Sequence, residues 1–383
     1  LPAYVPILKA KAGELEALQH LEAPPTPLRP LLELMPPSSR QQSGDLGEAE
    51  ELDDAKNNET GHGPADPANG SGETRKLTRQ LRKLALAIRD DLPAGSICSI
   101  DASYIDTLPF APDAWECFTA TLTEQLEPAP IRPVFRLTDP PERLAWVRGV
   151  IAEFGEGACL RLGSPDRDVD VRQAAELLSR VLPQLELGPE QIGVVIDLWT
   201  IEDDRDLQRG LATAEELLKL TDQHPWQSVT VAGGAFPASI SHLPGDAVSP
   251  LPRRDAHLWR QLQERQPARL PDFGDYAIAH PAPGIGSRAP LPNLRYTTDT
   301  EWQIWRQRTP QDLGNERFCI ICRDVVASEH FPTDRSRLCW GDRQIATRSE
   351  ECSSPGNATK WRAFGTSRHL ALVSDRLARC GEP

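Results

Sequence analysis

The sequence predicts an α/β fold: a (β/α)8 TIM-like barrel over residues 1–292, with a helical or mixed module appended over 293–383. Three observations predict it. Eight short apolar segments begin near residues 4, 28, 96, 131, 158, 192, 227 and 275, in most cases 24 to 35 residues apart, the length of one strand-helix unit. Helical patterns fill several of the intervals, and alternation of strands and helices favours a parallel sheet. Several of the segments also end on a charged residue, as expected where loops gather at one barrel mouth.

The segment Ile192 to Asp197 sets the pattern, a continuous apolar run closed by a carboxylate. Before it, Tyr4 to Lys9 reads as strand one, with Pro6 tolerated near a strand start. Leu15, Leu18 and Leu21 then recur at helical spacing over Gly13 to Leu21. Strand two is Leu28 to Glu33, strand three Ser96 to Asp101, strand four Ile131 to Arg136 and strand five Ala158 to Leu162. Strands seven and eight are Ser228 to Ala232 and Asp275 to Ala279. Pro140 and Pro141 ahead of Leu144, Val147 and Ile151 mark a helix start, and clear amphipathic patterns run over Val171 to Leu185 and Leu211 to Leu220. Gly233 to Arg254, with four prolines, reads as a loop. In the appended module, helices are expected over Thr300 to Arg308, Glu316 to Ala327 and His369 to Arg379.

One interval breaks the rhythm. Residues 36–73 are acidic and rich in Gly, Asn and Pro, with too few large apolar side chains to offset the entropy of ordering them, and read as a disordered acidic insertion after strand two. Elsewhere, 39% hydrophobic residues with nine Trp and nine Phe suffice for a real core. A net charge of −14 argues against a general binder of nucleic acid or acidic membrane, since such proteins present a basic face, although local basic sites such as Arg295, Arg306 and Arg308 stay open. No run approaches the length of a membrane span, and the opening residues do not read as a signal peptide, so a cytoplasmic chain is expected. Its eight cysteines are then expected as reduced thiols, and its Asn-X-Ser/Thr sequons as unmodified.

The candidate site lies at the strand ends. Lys9, Glu33, Asp101, Arg136, Arg161 and Asp197 close strands one to six, and period-two alternation puts each on the same face as Ile7, Leu31, Ser99, Val134, Cys159 and Val195 respectively. Six inward charges at one rim could hold an anionic substrate. Lys9, Arg136 and Arg161 would bind its oxygens, while Glu33, Asp101 and Asp197 would ligate a divalent metal such as Mg²⁺ or act as general acid and base. His280, after strand eight, could join as a ligand-binding group. The plainer reading is that the six charges pair with one another and seal the mouth.

Other signals are weaker. Cys319-Ile320-Ile321-Cys322 has the spacing of half a zinc site, but Cys339 and Cys352 form no second tight pair and the surrounding residues follow a helical stripe, which favours core cysteines. Gly284-Ile285-Gly286 is too short for a dinucleotide fingerprint, and no phosphate loop, nucleophile elbow or His-Glu-x-x-His is found.

Several stretches resemble the beta family of bacterial and phage-encoded proteins. They are Tyr4-Val5-Pro6-Ile7-Leu8-Lys9-Ala10-Lys11-Ala12-Gly13-Glu14, Pro30-Leu31-Leu32-Glu33, Phe273-Gly274-Asp275-Tyr276, Trp340-Gly341-Asp342-Arg343 and Gly356 to Arg362, followed by Gly365 and His369. The resemblance spans nearly the whole chain and implies a phage or anti-phage defence setting, but supplies no reaction. Two features depart from it: the acidic insertion is longer, and Ser367-Arg368-His369 stands where a His-His pair is common, which weighs against a metal or catalytic role for His369. Trp340 to Arg343 with Trp361 and Arg362 are expected to dock the tail on the barrel through buried Trp and paired charge, or else to extend the mouth.

Two functions fit these residues. One is an enzyme or ligand-binding protein whose mouth takes a small phosphorylated or carboxylated anion. The other is a non-enzymatic binding or scaffold component of a phage-related system, contacting a protein partner.

Overall fold

Eight strands close on themselves as a parallel barrel in the order β1-β2-β3-β4-β5-β6-β7-β9. The computed structural model describes residues 1–36, 72–92, 96–105, 108, 111–123, 130–163, 171–283, 291–307 and 314–383. The acidic stretch between residues 37 and 71 and the Gly284-Ile285-Gly286 triplet lie outside the described residues. In chain order the elements are β1 (Tyr4–Leu8), α1 (Ala12–Gln19), β2 (Leu31–Glu33), α2 (Gly72–Asp91), β3 (Cys98–Asp101), α3 (Ala111–Thr123), β4 (Ile131–Phe135), α4 (Pro141–Phe154), β5 (Ala158–Gly163), α5 (Val171–Leu185) and β6 (Ile192–Thr200). There follow α6 (Asp204–Thr221), β7 (Ser228–Gly234), β8 (Ala247–Pro252), α7 (Arg254–Glu264), β9 (Asp272–Asp275), β10 (Asn293–Thr297), β11 (Glu301–Arg306), α8 (Arg317–Val326), α9 (Trp340–Glu350) and α10 (Ala358–Cys380).

The barrel strands alternate as their sequences require. Ile7, Leu31, Val134, Cys159 and Val195 form the interior core, while Leu8, Leu32, Ile100, Leu160 and Val194 face the helices. The barrel closes through β1 and β9, with Tyr4 opposite Phe273 and Pro6 opposite Asp275. Strand eight was expected over Asp275 to Ala279 but runs earlier, because the chain turns after Tyr276: Ala277 takes a positive φ of 49° and Ala279 N–H bonds back to the Tyr276 carbonyl.

Two expected elements differ in kind. Thr300 to Arg308 is not a helix; Glu301–Arg306 forms β11, in which buried Trp302, Ile304 and Arg306 recur with period two. Part of the expected loop 233–254 is likewise strand β8, paired antiparallel with β11, while β10 flanks β11 on the other side. Pro250 and Pro252 have no N–H to offer on β8, the outer strand of this three-stranded sheet, which suits them to an edge and blunts further pairing.

The helices α1 and α10 lie against each other. Gly13 permits the contact, since a Cβ there would sit 2.6 Å from the Thr359 carbonyl oxygen. Gly341 does the same for α9 on α10, where a Cβ would meet the Phe364 carbonyl at 2.3 Å. Asp342, buried, accepts from Tyr296 Oη at 2.9 Å and from Arg368 Nη1 at 3.2 Å, and Trp340 stacks on His20 with ring centroids 4.3 Å apart. Arg343 pairs with Glu22, so the Trp-Gly-Asp-Arg stretch docks the tail and contributes nothing to the mouth.

Not all thiols are free. Cys319 is bonded to Cys352 across 33 residues, a disulfide that ties α8 to the segment after α9 and replaces the reduced core cysteine expected at 319. Cys322, one helical turn on, does lie in the core, and burial pushes its thiol up to about 12.

Two consequences can be measured by urea denaturation. Gly13→Ala should lose about 1–3 kcal/mol, because the added methyl meets backbone rather than a side chain able to move. Cys352→Ser should lose about 2–4 kcal/mol in non-reducing buffer and nothing relative to wild type once both are reduced.

Candidate functional site in the barrel mouth

The six predicted charges meet inside the barrel at the carboxyl ends of the strands. Register explains how: Glu33 stands beside Asp101 across β2 and β3, while Arg161 pairs with Val195 and Asp197 with Gly163, so the arginine lies one layer below Asp197. Its guanidinium, 2% exposed as a residue, therefore reaches up among the three acids.

Arg161 is the hub. Its Nη1 donates to Asp101 Oδ2 at 2.6 Å, its Nη2 to Glu33 Oε1 at 2.8 Å and to Asp197 Oδ2 at 2.7 Å, and its Nε to the same Asp197 oxygen at 3.0 Å. The remaining oxygens are also occupied. Glu33 Oε2 accepts from Lys9 Nζ at 3.4 Å, Asp101 Oδ1 from the backbone and hydroxyl of Ser103 at 3.0 and 2.5 Å, and Asp197 Oδ1 from Trp199 N–H at 3.0 Å. Arg136 Nη2 adds a 3.2 Å bond to Asp101, and Tyr276 Oη a 2.8 Å bond to Asp197. Three carboxylates thus face three cations, and every carboxylate oxygen accepts from a protein donor.

The electrostatics follow from that balance. Burial would raise the Asp101 carboxyl, but Arg161 and Arg136 together with the Ser103 donors outweigh it and hold it well below the usual carboxylate range. Burial opposes the charge on Arg161 too, and Tyr276, Asp197, Glu33 and Asp101 more than restore it. Such a buried cluster is stable only because its members satisfy one another.

Sequence reasoning missed three members. Tyr276 follows Asp275 and so points to the opposite side of β9, into the barrel, where Lys9 Nζ lies 5.6 Å from its ring centre. Tyr104 lies near enough that burial, then Glu33, raise its hydroxyl. Trp199, next to last in β6, has a φ of 61°, a strained conformation for a bulky residue, and meets Tyr276 edge-on at 6.0 Å. The Phe-Gly-Asp-Tyr stretch was the signal for Tyr276; nothing local marks the other two.

Two other expectations resolve differently. His280 does not bond to the six charges: its Nε2 lies 3.1 Å from Glu202 Oε1 and its Nδ1 accepts from Ala282 N–H, while the neighbouring Pro281 carbonyl takes the 2.6 Å bond from Lys9. The three expected metal ligands have another partner. Glu33, Asp101 and Asp197 converge on a guanidinium, the place a cation would take, and among the described residues no group of three His, Cys, Asp or Glu is arranged to hold a metal ion.

A second buried polar group lies across the barrel wall. Asp275, outward-facing, accepts from Tyr4 Oη at 2.9 Å and Ala277 N–H at 3.0 Å, and meets His369 Nε2 of α10 at 2.7 Å. Trp302 donates its indole N–H to His369 Nδ1 at 3.4 Å, so Nδ1 is the acceptor and Nε2 carries the proton given to Asp275. Burial raises the Asp275 carboxyl, but His369 chiefly, with Arg253, brings it below its usual value. His369, fully buried, links the tail to β9 rather than to the mouth.

The sequence profile of the Beta protein family matches residues 4–375. The chain belongs to that family. No curated protein matches it. The match takes in both buried clusters and every stretch that carried the resemblance, so the Beta protein family here takes the form of a closed barrel with its tail docked. Among the described residues no helix is long and apolar enough to cross a membrane.

Removing the hub should be costly. Arg161→Met leaves three buried carboxylates facing too few cations and should lose at least about 3–5 kcal/mol in urea titrations, whereas Arg335→Met on the surface should change stability little. The pH dependence follows from Asp101 and Asp275, whose folded-state values lie below their unfolded ones. Their contribution is complete above about pH 4 and disappears as pH falls through the lowered values. Asp101→Asn should therefore be less stable at neutral pH and lose less on acidification, read from midpoints between pH 3 and 7.

Proposed function

We propose that this Beta-family chain is a non-enzymatic binding component of a phage-related or anti-phage system, with the barrel acting as a rigid platform. One observation carries the reading. Every oxygen of Glu33, Asp101 and Asp197 already accepts a hydrogen bond from Lys9, Ser103, Arg161, Trp199 or Tyr276, so a proton or a metal at any of them competes with a buried hydrogen bond or ion pair. Catalysts hold acids and bases at shifted, usable affinities for protons. Here the neighbours keep Asp101 ionised instead. The phage or defence setting is carried over from the family resemblance alone.

A second reading has its own support. Among the described residues Lys9 Nζ bonds to Glu33 and Pro281, which leaves one of its three protons, and Arg136 reaches Gly163 and Ser103 at 3.4 and 3.5 Å, the limit of a hydrogen bond. A small phosphorylated or carboxylated ligand above the cluster would find donors there.

Thermal-shift measurements separate the two. Phosphorylated and carboxylated metabolites and Mg²⁺ are screened on the wild-type chain and on Asp197→Asn. The platform reading expects no ligand-dependent rise in Tm, with Asp197→Asn melting lower throughout. A rise with one anion that vanishes in Lys9→Met or Arg136→Gln would replace it with the ligand reading.

A further inference from the structure

The helix that follows the acidic stretch carries a basic face. Within α2, Arg75, Lys76, Arg79, Arg82 and Lys83 fall in nine residues that contain no acid. At 100° per residue the five span an arc of about 120° and a length of about 12 Å. All five are exposed, while Leu77, Leu81, Leu84, Ala85 and Ile88 bury the opposite face in the core. The helix is thus held by its apolar side, and its cations are presented as a fixed stripe.

Four of these cations differ from several others on the surface in lying together without an ion pair among the described residues. Arg254, Arg265, Lys360 and Arg379 each pair with a nearby carboxylate. Lys76, Arg79, Arg82 and Lys83 form no ion pair among the described residues, and Arg75 alone of the five has a further interaction. A chain of net charge −14 has carboxylates to spare, so four unpaired neighbouring cations stand out. Like charges this close repel one another, and an anionic partner relieves that repulsion.

We propose that the exposed face of α2 binds the phosphodiester backbone of a nucleic acid. Three of the five cations are arginines, whose forked donors suit phosphate, and a duplex offers one negative charge per about 1.7 Å, a density that a stripe of five cations can match. An acidic peptide would have to supply several carboxylates within the same length of about 12 Å. The contact is one of backbone and not of sequence: Gln80, the amide side chain among them, donates to the Met35 carbonyl at 3.0 Å and has that donor engaged. The overall negative charge does not forbid this, because at physiological salt a charge is screened beyond about 8 Å. Of the basic residues considered from sequence, Arg295 donates to the Ile278 carbonyl and Arg306 to those of Ile240 and Leu243, while Arg308 lies outside the described residues.

Fluorescence anisotropy with the full chain tests the proposal, using labelled duplex DNA, single-stranded DNA and RNA of 20 nucleotides, and polyglutamate as the contrasting polyanion. Binding should be indifferent to base sequence, and for duplex DNA log K should fall with log salt at a slope between about −3.6 and −4.5, for four or five phosphate contacts. The triple variant Arg79→Glu, Arg82→Glu, Lys83→Glu should bind at least tenfold more weakly with unchanged circular dichroism and melting, whereas Arg335→Glu should bind as wild type does. The single-stranded and RNA arms identify which nucleic acid is preferred, any preference supporting the proposal. No binding at low salt, an undiminished triple variant, or polyglutamate bound as tightly as the nucleic acids would overturn it. Because α2 lies outside the mouth cluster, its failure leaves the platform reading standing, and the reverse holds.

Discussion

The guanidinium of Arg161 is the interaction on which the barrel mouth depends. An arginine inside a barrel is costly unless its charge is matched and its donors are used, and here three carboxylates from three different strands do both. Those carboxylates would repel one another without it. The cluster therefore ties β2, β3, β5 and β6 together, with Lys9, Arg136 and Tyr276 extending it to β1, β4 and the end of β9. Directional bonds to a single planar group also specify register, since a slip of one residue would turn a charge toward the helices.

The same alternation couples the barrel to its tail. Asp275 and Tyr276 are consecutive and leave β9 on opposite sides, one to His369 and the other to Arg161. Two buried polar networks are thus separated by the thickness of one strand. The docking of α10 on α1, the Asp342 contacts and the sheet shared by β8, β10 and β11 make the appended residues part of the same packed body as the barrel. A neighbouring pair is less well satisfied: the side chains of Arg253 and Asp255 are fully buried, approach no closer than 3.6 Å and have no hydrogen-bond partner among the described residues. Burial raises the Asp255 carboxyl, and Arg253 only partly offsets it.

Satisfaction and availability oppose one another in this molecule. In the mouth, charges are plentiful but engaged with each other, which favours rigidity over chemistry. On α2, Lys76, Arg79, Arg82 and Lys83 form no ion pair among the described residues, which favours association. The mouth charges cancel inside the barrel while four neighbouring cations line the outside of α2, and the two proposals draw on separate residues.

Much of this was legible in the chain itself. Short apolar runs at unit spacing determined the barrel, and period two determined that Lys9, Glu33, Asp101, Arg136, Arg161 and Asp197 share its interior, because a strand leaves its side chains no third direction. The basic face of α2 is present as letters, although the acidic interval before it and the negative net charge mask it. Thr300 to Arg308 reads as a helix because a short pattern of Trp302, Ile304 and Trp305 fits a helix as well as a strand until a partner is known, and only pairing with β8 and β10 decides it. What no local pattern contains is which charge takes which partner. That the acids converge on Arg161, that His369 meets Asp275 across 94 positions and that Cys319 meets Cys352 are decided by closure of the barrel and docking of the tail, since contacts between distant residues exist only once the chain between them is folded.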